Sequence, residues 1–412
     1  MSVTASGARA GVFSGPRFRT VLMGVMGFLT LVDLFAAQAL LPLLVQTYGT
    51  SPAAMGAAVN ASTFGMAGAG LVVALLSHRL PRAKGVWIAL AVLALPTALL
   101  AFAPGLAAFT ALRIVQGVFM ASAFTLTMAY LAEHGTAEQT ASALAAYVTG
   151  AVASNLFGRL VASAAAAHFG LSVSFFAFAG LNLAGAALAF AALERAEPAA
   201  PGATAPPPPL RRLAGHFATP CLRACFGIGF CVLFAFIGAF TYVNFVLVRA
   251  PLAVAPMALG LIYFVFAPSM ITTPLAGRVT SRFGPRPAFY GSLGLAGIGL
   301  PLILAPNLPA VLAGLVLLGV GTFFAQAVAT GFVGRAARSD RAAASGLYLA
   351  SYYLGGLAGA ALLGQVFDRL GWPATVAGVG VALAAAAWFA SRLRPATAGA
   401  RQSAGAASPA VL

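Results

Sequence analysis

The sequence predicts an all-α membrane protein, with twelve transmembrane helices in two pseudo-symmetric six-helix halves. Three observations carry this. Hydrophobic residues make up 61% of the 412-residue chain and charged residues only 7%, against about 25% charged in a soluble domain. The apolar residues fall in runs of the ~20 residues that a membrane helix needs. The basic residues cluster in alternate loops, as a multi-span topology requires.

In order, the spans are read at residues 20–44, 54–76, 85–103, 106–131, 140–165, 170–193, 223–248, 256–277, 286–305, 308–333, 343–366 and 372–391. Several are rich in small residues that let helices approach closely, such as Gly65, Gly68 and Gly70, or Ser351, Gly355 and Gly359. Pro42, Pro96, Pro268, Pro274 and Pro301 fall within or at the ends of spans, where proline kinks or stops a helix. Residues 1–19 are polar and precede a span too long for a cleaved signal, so they read as a cytoplasmic tail. Residues 194–220 form the longest non-apolar segment and contain four consecutive prolines. They read as an extended cytoplasmic linker between halves 20–193 and 221–391. Residues 392–412, rich in Ala, Ser and Gly, read as a disordered cytoplasmic tail.

With the N-terminus inside, nineteen of the Lys and Arg residues fall in inside segments and only Arg249 and Arg369 in outside loops. That asymmetry orients both termini to the cytoplasm and supports the twelve-span count. The halves also repeat. The loop ALLSHRLPRAK (74–84) matches GRVTSRFGPRP (277–287). Leu144, Tyr147 and Gly150 recur as Leu349, Tyr352 and Gly355 at one common offset. Two parallel six-span halves joined by a linker describe many secondary transporters.

Only seven acids occur: Asp33, Glu133, Glu138, Glu194, Glu197, Asp340 and Asp368. All but Asp33 sit at or near span ends. A carboxylate deep in hydrocarbon costs ~2.5–3.5 kcal/mol on insertion scales and is a functional candidate by default. Other chemistry is poorly provided for. Lys84 is the one lysine, and no phosphate-binding G-x-x-x-x-G-K-[ST] occurs. The histidines, His78, His134, His168 and His216, lie in different loops or span ends without metal-ligand spacing. Cys221, Cys225 and Cys231 read as inert packing residues. An enzyme, a cofactor and a metal are therefore not expected. The net charge of +16 lies in inter-helix segments, which argues for topology rather than nucleic acid.

The chain resembles the major facilitator superfamily, and within it the twelve-span proton-linked efflux branch. After span 2 that family has G-x-x-x-D-R-x-G-R-R/K. Here Ala74, His78, Arg79, Pro81, Arg82 and Lys84 take those places, keeping the basic residues and losing both glycines and the acid. In span 4, Arg113, Gln116 and Gly117 match R-x-x-Q-G. In span 5, Gly150, Ser154, Gly158 and Arg159 lie where antiporters have a glycine-rich motif, without its Gly-Pro. VDLFAAQALLPLL in span 1, AFTYVNFVLVRAP in span 7 and LYLASYYLGGLAG in span 11 look like a bacterial arabinose-efflux-permease-like subgroup. The resemblance implies alternating access in a bacterial inner membrane, a small-molecule substrate, protons as coupling ions, and a monomer. It also implies a gating latch in the loops, built from His78, Arg79, Arg82 and Lys84 with Gly277, Arg278, Arg282, Gly284 and Arg286. Loop residues that only set topology are the plainer reading.

Asp33 lies thirteen residues into span 1, ~20 Å from the cytoplasmic edge, and Arg113 seven residues into span 4, ~10 Å from the outer edge. In a core of ~30 Å they share a level. Since spans 1 and 4 line the family's central cavity, Arg113 is the expected ionic neighbour of Asp33. A proton-carrying pair and a static helix tie are both open. Arg159, nineteen residues into span 5, is expected ~28 Å up, near the outer surface. An interface anchor and a role at a gate or with an anion are both open there. Cavity candidates are Gln38, Asn60, Gln116, Tyr147, Asn155, Tyr242, Asn244, Tyr263, Phe323, Gln326, Tyr352 and Tyr353. They imply an apolar pocket with few hydrogen-bonding groups, suited to neutral or cationic amphiphilic cargo rather than polyanions, with hydroxylated metabolites or sugars also open.

Overall fold

The computed structural model describes residues 16–76, 80–133, 137–193, 209–337 and 340–393. The first half comprises α1 (Pro16–Ala39), α2 (Leu41–Tyr48), α3 (Pro52–Asn60), α4 (Ser62–Leu76), α5 (Arg82–Leu99), α6 (Leu106–Glu133), α7 (Ala137–Phe169) and α8 (Leu171–Ala192). Next come α9 (Pro209–Ala218) and α10 (Pro220–Leu247), then α11 (Pro256–Ile262), α12 (Ala267–Thr272), α13 (Ala276–Phe283), α14 (Pro285–Leu302), α15 (Leu308–Ala336) and α16 (Arg341–Ser391). Among the described residues no strand occurs.

Ten helical runs among the described residues are long and apolar enough to cross a membrane. The last, Ala343–Ser391, is broken at Gly371, whose φ of 79° and ψ of −173° no helix contains. Glycine takes that left-handed φ without the penalty a side chain brings. α14 has 18 residues and is not among the ten. The break at Gly371 and the weaker apolarity of α14, which carries Arg286, three prolines and four glycines, account for the difference from the twelve spans read in the sequence.

Pro42, Pro268 and Pro274 fall where the runs are cut, whereas Pro96 and Pro301 stay inside the last turns of α5 and α14. Span 1 does not continue unbroken to residue 44. Pro42 has no N–H for the Gln38 carbonyl, and α1 gives way to α2 at Leu40. Span 8 is three short α-helices joined by 3₁₀ turns at Tyr263–Phe266 and Thr273–Leu275, with Pro268 and Pro274 among them. Side chains cap several starts. Ser51 accepts from the Ala54 amide at 3.2 Å, Asn307 from Ala310 at 3.0 Å and Asp340 from Ala343 at 3.1 Å. Part of the expected linker is not extended. Pro209–Ala218 is helical and rests against α10 and α16.

Within the first half α1 packs along α7, α4 along α6, and α5 between α6 and α8. In the second half α10 packs along α16 and α14 along α15. The repeat in the sequence has a physical basis here. A Cβ on Gly150 would lie 1.8 Å from the Gly24 carbonyl oxygen on α1, and one on Gly355 would lie 2.1 Å from that of Phe230 on α10. Both glycines let two helix backbones touch. The halves meet where α16 runs along α3 and α4, and where α7 lies against α11, the Tyr263–Phe266 turn and α12.

Candidate functional site

Two clusters of buried polar side chains are threaded on α1, one around Asp33 and one around Gln38. These residues are five apart, about 140° around the helix axis, so they face different neighbours. The end of the bundle holding the turns after α2, α7 and α10 is called distal here, and the end with the start of α1 and the end of α16 proximal.

Asp33 faces into its own half and is 3% exposed. Its Oδ2 accepts from Thr97 Oγ1 at 2.8 Å on α5, from Asn182 Nδ2 at 2.8 Å on α8, and from Gln116 Nε2 at 3.4 Å on α6. Its Oδ1 is buried and accepts nothing. The expected ion pair is not made. Arg113 Nη1 donates to the Asp33 main-chain oxygen at 3.1 Å and to Gln116 Oε1 at 2.7 Å. Nη2 donates to the Leu34 oxygen and to Ser62 Oγ, each at 3.1 Å, and Nε to the Val59 oxygen at 2.8 Å. The guanidinium saturates its five donors on neutral acceptors, and the Gln116 amide stands between it and the carboxylate. Equal depth was enough to bring Arg113 to α1, but not to decide which oxygen it meets. A narrow cavity beside the cluster is lined by Asp33, Thr97, Arg113, Gln116 and apolar residues including Phe175 and Phe178.

Gln38 joins two residues of its own half, Asn60 and Arg159, that each reach the second half. Its Nε2 donates to Asn60 Oδ1 at 2.6 Å, and Asn60 Nδ2 donates to Thr241 Oγ1 on α10 at 3.1 Å. Gln38 Oε1 accepts a short hydrogen bond from Arg159 Nη2. Arg159 is not an interface anchor, because it is 0% exposed. Its guanidinium carbon lies 4.4 Å from the Tyr263 ring centre, 5.0 Å from Phe266 and 5.3 Å from Phe35. It lies deeper than the outer-surface level expected from the sequence, ten residues or about 15 Å before the end of α7 and beside Phe35 of α1, and α7 turns this face toward the second half rather than toward lipid. The Tyr263 hydroxyl in turn donates to Asn244 Oδ1. Gln38, Asn60, Arg159, Asn244 and Tyr263 therefore form one chain of contacts across the two halves.

The remaining cavity candidates scatter. Gln116 belongs to the Asp33 cluster. The Tyr147 hydroxyl donates to Thr30 Oγ1 at 3.3 Å. Asn155 is 1% exposed and its Oδ1 is unpartnered. Tyr242 donates to the Ala360 oxygen and fills the space over Gly56 and Gly364. Tyr352 and Tyr353 are buried with ring centres 5.5 Å apart. Phe323 packs edge-on to Phe236, and Gln326 is half-buried on α15. Gly158 faces the Val32 oxygen of α1, like Gly150 a helix contact.

Of the loop residues, His78 and Arg79 lie outside the described residues. Arg82 and Lys84 open α5, and Gly277, Arg278 and Arg282 lie on α13. Gly284, at φ 88°, ends that helix. Arg286 donates to the Ser391 oxygen at 2.7 Å, at the last turn of α16, where helix carbonyls attract a cation. At the opposite end Asp368 Oδ2 accepts from the Ala53 amide in the first turn of α3, at 3.3 Å across the halves.

Thr97, Asn182, Ser62 and Thr241 were not among the sequence candidates. Asn182 had a usable signal, being the lone amide of an apolar run, and Thr97 sits beside Pro96.

The profile of the Major Facilitator Superfamily matches residues 23–269 and 228–412. YybF, an MFS-type transporter of Bacillus subtilis, is 25% identical over 383 residues, 92% of this chain and 94% of that protein. The inner membrane transport protein YnfM of Escherichia coli is 26% identical over 380 residues, 92% of this chain and 91% of its own length. Among solved structures, a bacterial homologue of the human lysosomal transporter Spinster, inward-facing and unoccupied, superposes with a TM-score of 0.70. It shares 13% identity over 93% of this chain and 95% of that one.

Proposed function

The chain belongs to the Major Facilitator Superfamily, and from that premise we propose that this multi-pass membrane transporter is a proton-coupled antiporter of the arabinose-efflux-permease-like subgroup. It exports a small amphiphilic or neutral molecule by alternating access. It sits as a monomer in a bacterial inner membrane with both termini in the cytoplasm, so the distal end faces out.

One observation carries the reading: Asp33, the sole acid in the interior of a span, keeps one carboxylate oxygen bare in a buried pocket. Three side-chain donors fix Oδ2 and leave Oδ1 as the atom to take a proton. Thr97, Gln116 and Asn182 hang from three different helices of the half. Small shifts among those helices during closure then change both the donor set and the access of water to Oδ1. Arg113 supplies a fixed positive charge, since a guanidinium does not deprotonate in this role. The cross-half contacts at Asp368, Asn60 and Arg159 act as the outer gate, and the Arg286 contact belongs to the inner latch.

The same carboxylate serves proton-coupled import equally well, and the missing Gly-Pro of span 5 favours that second reading. Drug-sensitivity and metabolite-export profiling of a deletion strain identifies the cargo. Everted vesicles then separate the readings. Added cargo collapses a preformed pH gradient under antiport, and co-accumulates with protons under symport.

A further inference from the structure

Arg159 is a full positive charge at 0% exposure within the transmembrane bundle, and among the described residues no carboxylate pairs with it. Its protein partners are neutral: Gln38 Oε1 and, at 3.4 Å, the Phe35 main-chain oxygen. Nη1 is buried and donates to nothing. An unpaired buried charge is strongly destabilising, and apolar surroundings magnify the attraction of any anion that arrives. The aromatic rings around the guanidinium come from both halves, Phe35 from the first and Tyr263 and Phe266 from the second. Phe236, edge-on to Phe35, extends the apolar wall. A bare cationic donor beside a wall of rings is complementary to one carboxylate on an apolar body.

We infer that Arg159 is the recognition group for a singly charged, amphiphilic carboxylate, which takes the Nη1 position and displaces Gln38 when the halves part. Gln38 is then a stand-in for the ligand, occupying the guanidinium while the site is closed. The inference rests on the alternating-access reading above, and narrows that cargo to its anionic, single-carboxylate class. Arg113, which meets the neighbouring Leu34 oxygen, has all five of its donors taken, so Arg159 alone offers a bare donor and does not suit a polyanion.

The test uses the purified full-length chain with four probes at matched ionic strength: benzoate, octanoate, benzamide and benzylamine. Calorimetric binding is expected for the two carboxylates and at least ~10-fold weaker for the amide and the amine. Arg159→Gln should weaken carboxylate binding about 10- to 100-fold. Gln38→Ala, which removes the competing acceptor, should tighten it. Equal binding of benzamide and benzoate, or no carboxylate binding, overturns the inference. Should Arg159→Gln fail to fold, unchanged or weaker carboxylate binding by Gln38→Ala overturns it. Failure of the transport reading looks different. Carboxylate-selective binding without flux in vesicles leaves the site standing and removes the transporter cycle, whereas coupled flux with no preference for carboxylates removes only the site.

Discussion

Arg113 shows how a buried charge is tolerated without a counter-charge at contact distance. All five of its N–H groups meet neutral oxygens, and charge-assisted hydrogen bonds of this kind are stronger than neutral ones. Lysine offers three donors from a point charge and cannot reproduce the fork. Arg113→Lys should therefore leave at least two buried acceptors unmet, at ~1–3 kcal/mol each. A fall of several degrees in the thermal midpoint of the detergent-solubilised protein checks this, and an unchanged midpoint would show that the fork is dispensable. Gln116 is read differently, because it bridges the guanidinium and the carboxylate. Gln116→Leu should leave the fold in place and impair coupling, seen as cargo binding retained with proton release lost. The sequence made Asp33 and Arg113 conspicuous because charges are rare in apolar runs. It could not say that Asp33 turns into its own half. That depends on Thr97 and Asn182, whose neutral side chains resemble ordinary packing residues in a linear reading.

At the scale of elements, the helix pairs are set by glycines that no charge pattern reveals. Gly150→Leu should drive a side chain into the Gly24 carbonyl and abolish folded, monodisperse protein. Gly68, where an added Cβ meets nothing within 4 Å, should accept alanine with a change within ~0.5 kcal/mol. Size-exclusion profiles of the two variants test the contrast. The recurrence of Leu144, Tyr147 and Gly150 as Leu349, Tyr352 and Gly355 was visible in the sequence, and the Gly150 and Gly355 contacts explain it. Helix breaks were partly legible, since Pro42, Pro268 and Pro274 each fall at one. The helical turn of Pro209–Ala218 was not, because the prolines just before it read as extended chain. Arg159 was misread for a related reason: its depth and its facing direction depend on where α7 begins and which helix it packs against, and α7 sets it beside Phe35 rather than at the outer surface.

For the whole molecule, the halves are held together at the distal end by few polar contacts and much apolar surface. Ser163 Cβ would stand 2.9 Å from a Cβ added to Gly260, joining α7 to α11. The double substitution Ser163→Cys with Gly260→Cys places two thiols within disulfide reach once α7 and α11 move apart by about half an ångström, to the ~3.5–4.5 Å that bridged Cβ atoms keep. Oxidation should lock the distal end shut and stop transport, and reductant should restore it. Transport that continues in the oxidised, cross-linked protein would show that this end does not open during the cycle. Family membership and two-half architecture were legible from hydropathy, basic loops and the R-x-x-Q-G match at Arg113. Cargo was not, because the buried polar and aromatic candidates lie singly on separate helices, and a linear reading does not say which of them meet.

The central claim is that Asp33 carries the coupled proton. Asp33→Asn keeps the hydrogen-bonding shape at Oδ2 and removes the titratable group. In proteoliposomes the variant should bind cargo and exchange internal for external cargo at close to the native rate, while an imposed pH gradient no longer drives accumulation. Gradient-driven accumulation retained in full by Asp33→Asn would contradict the account.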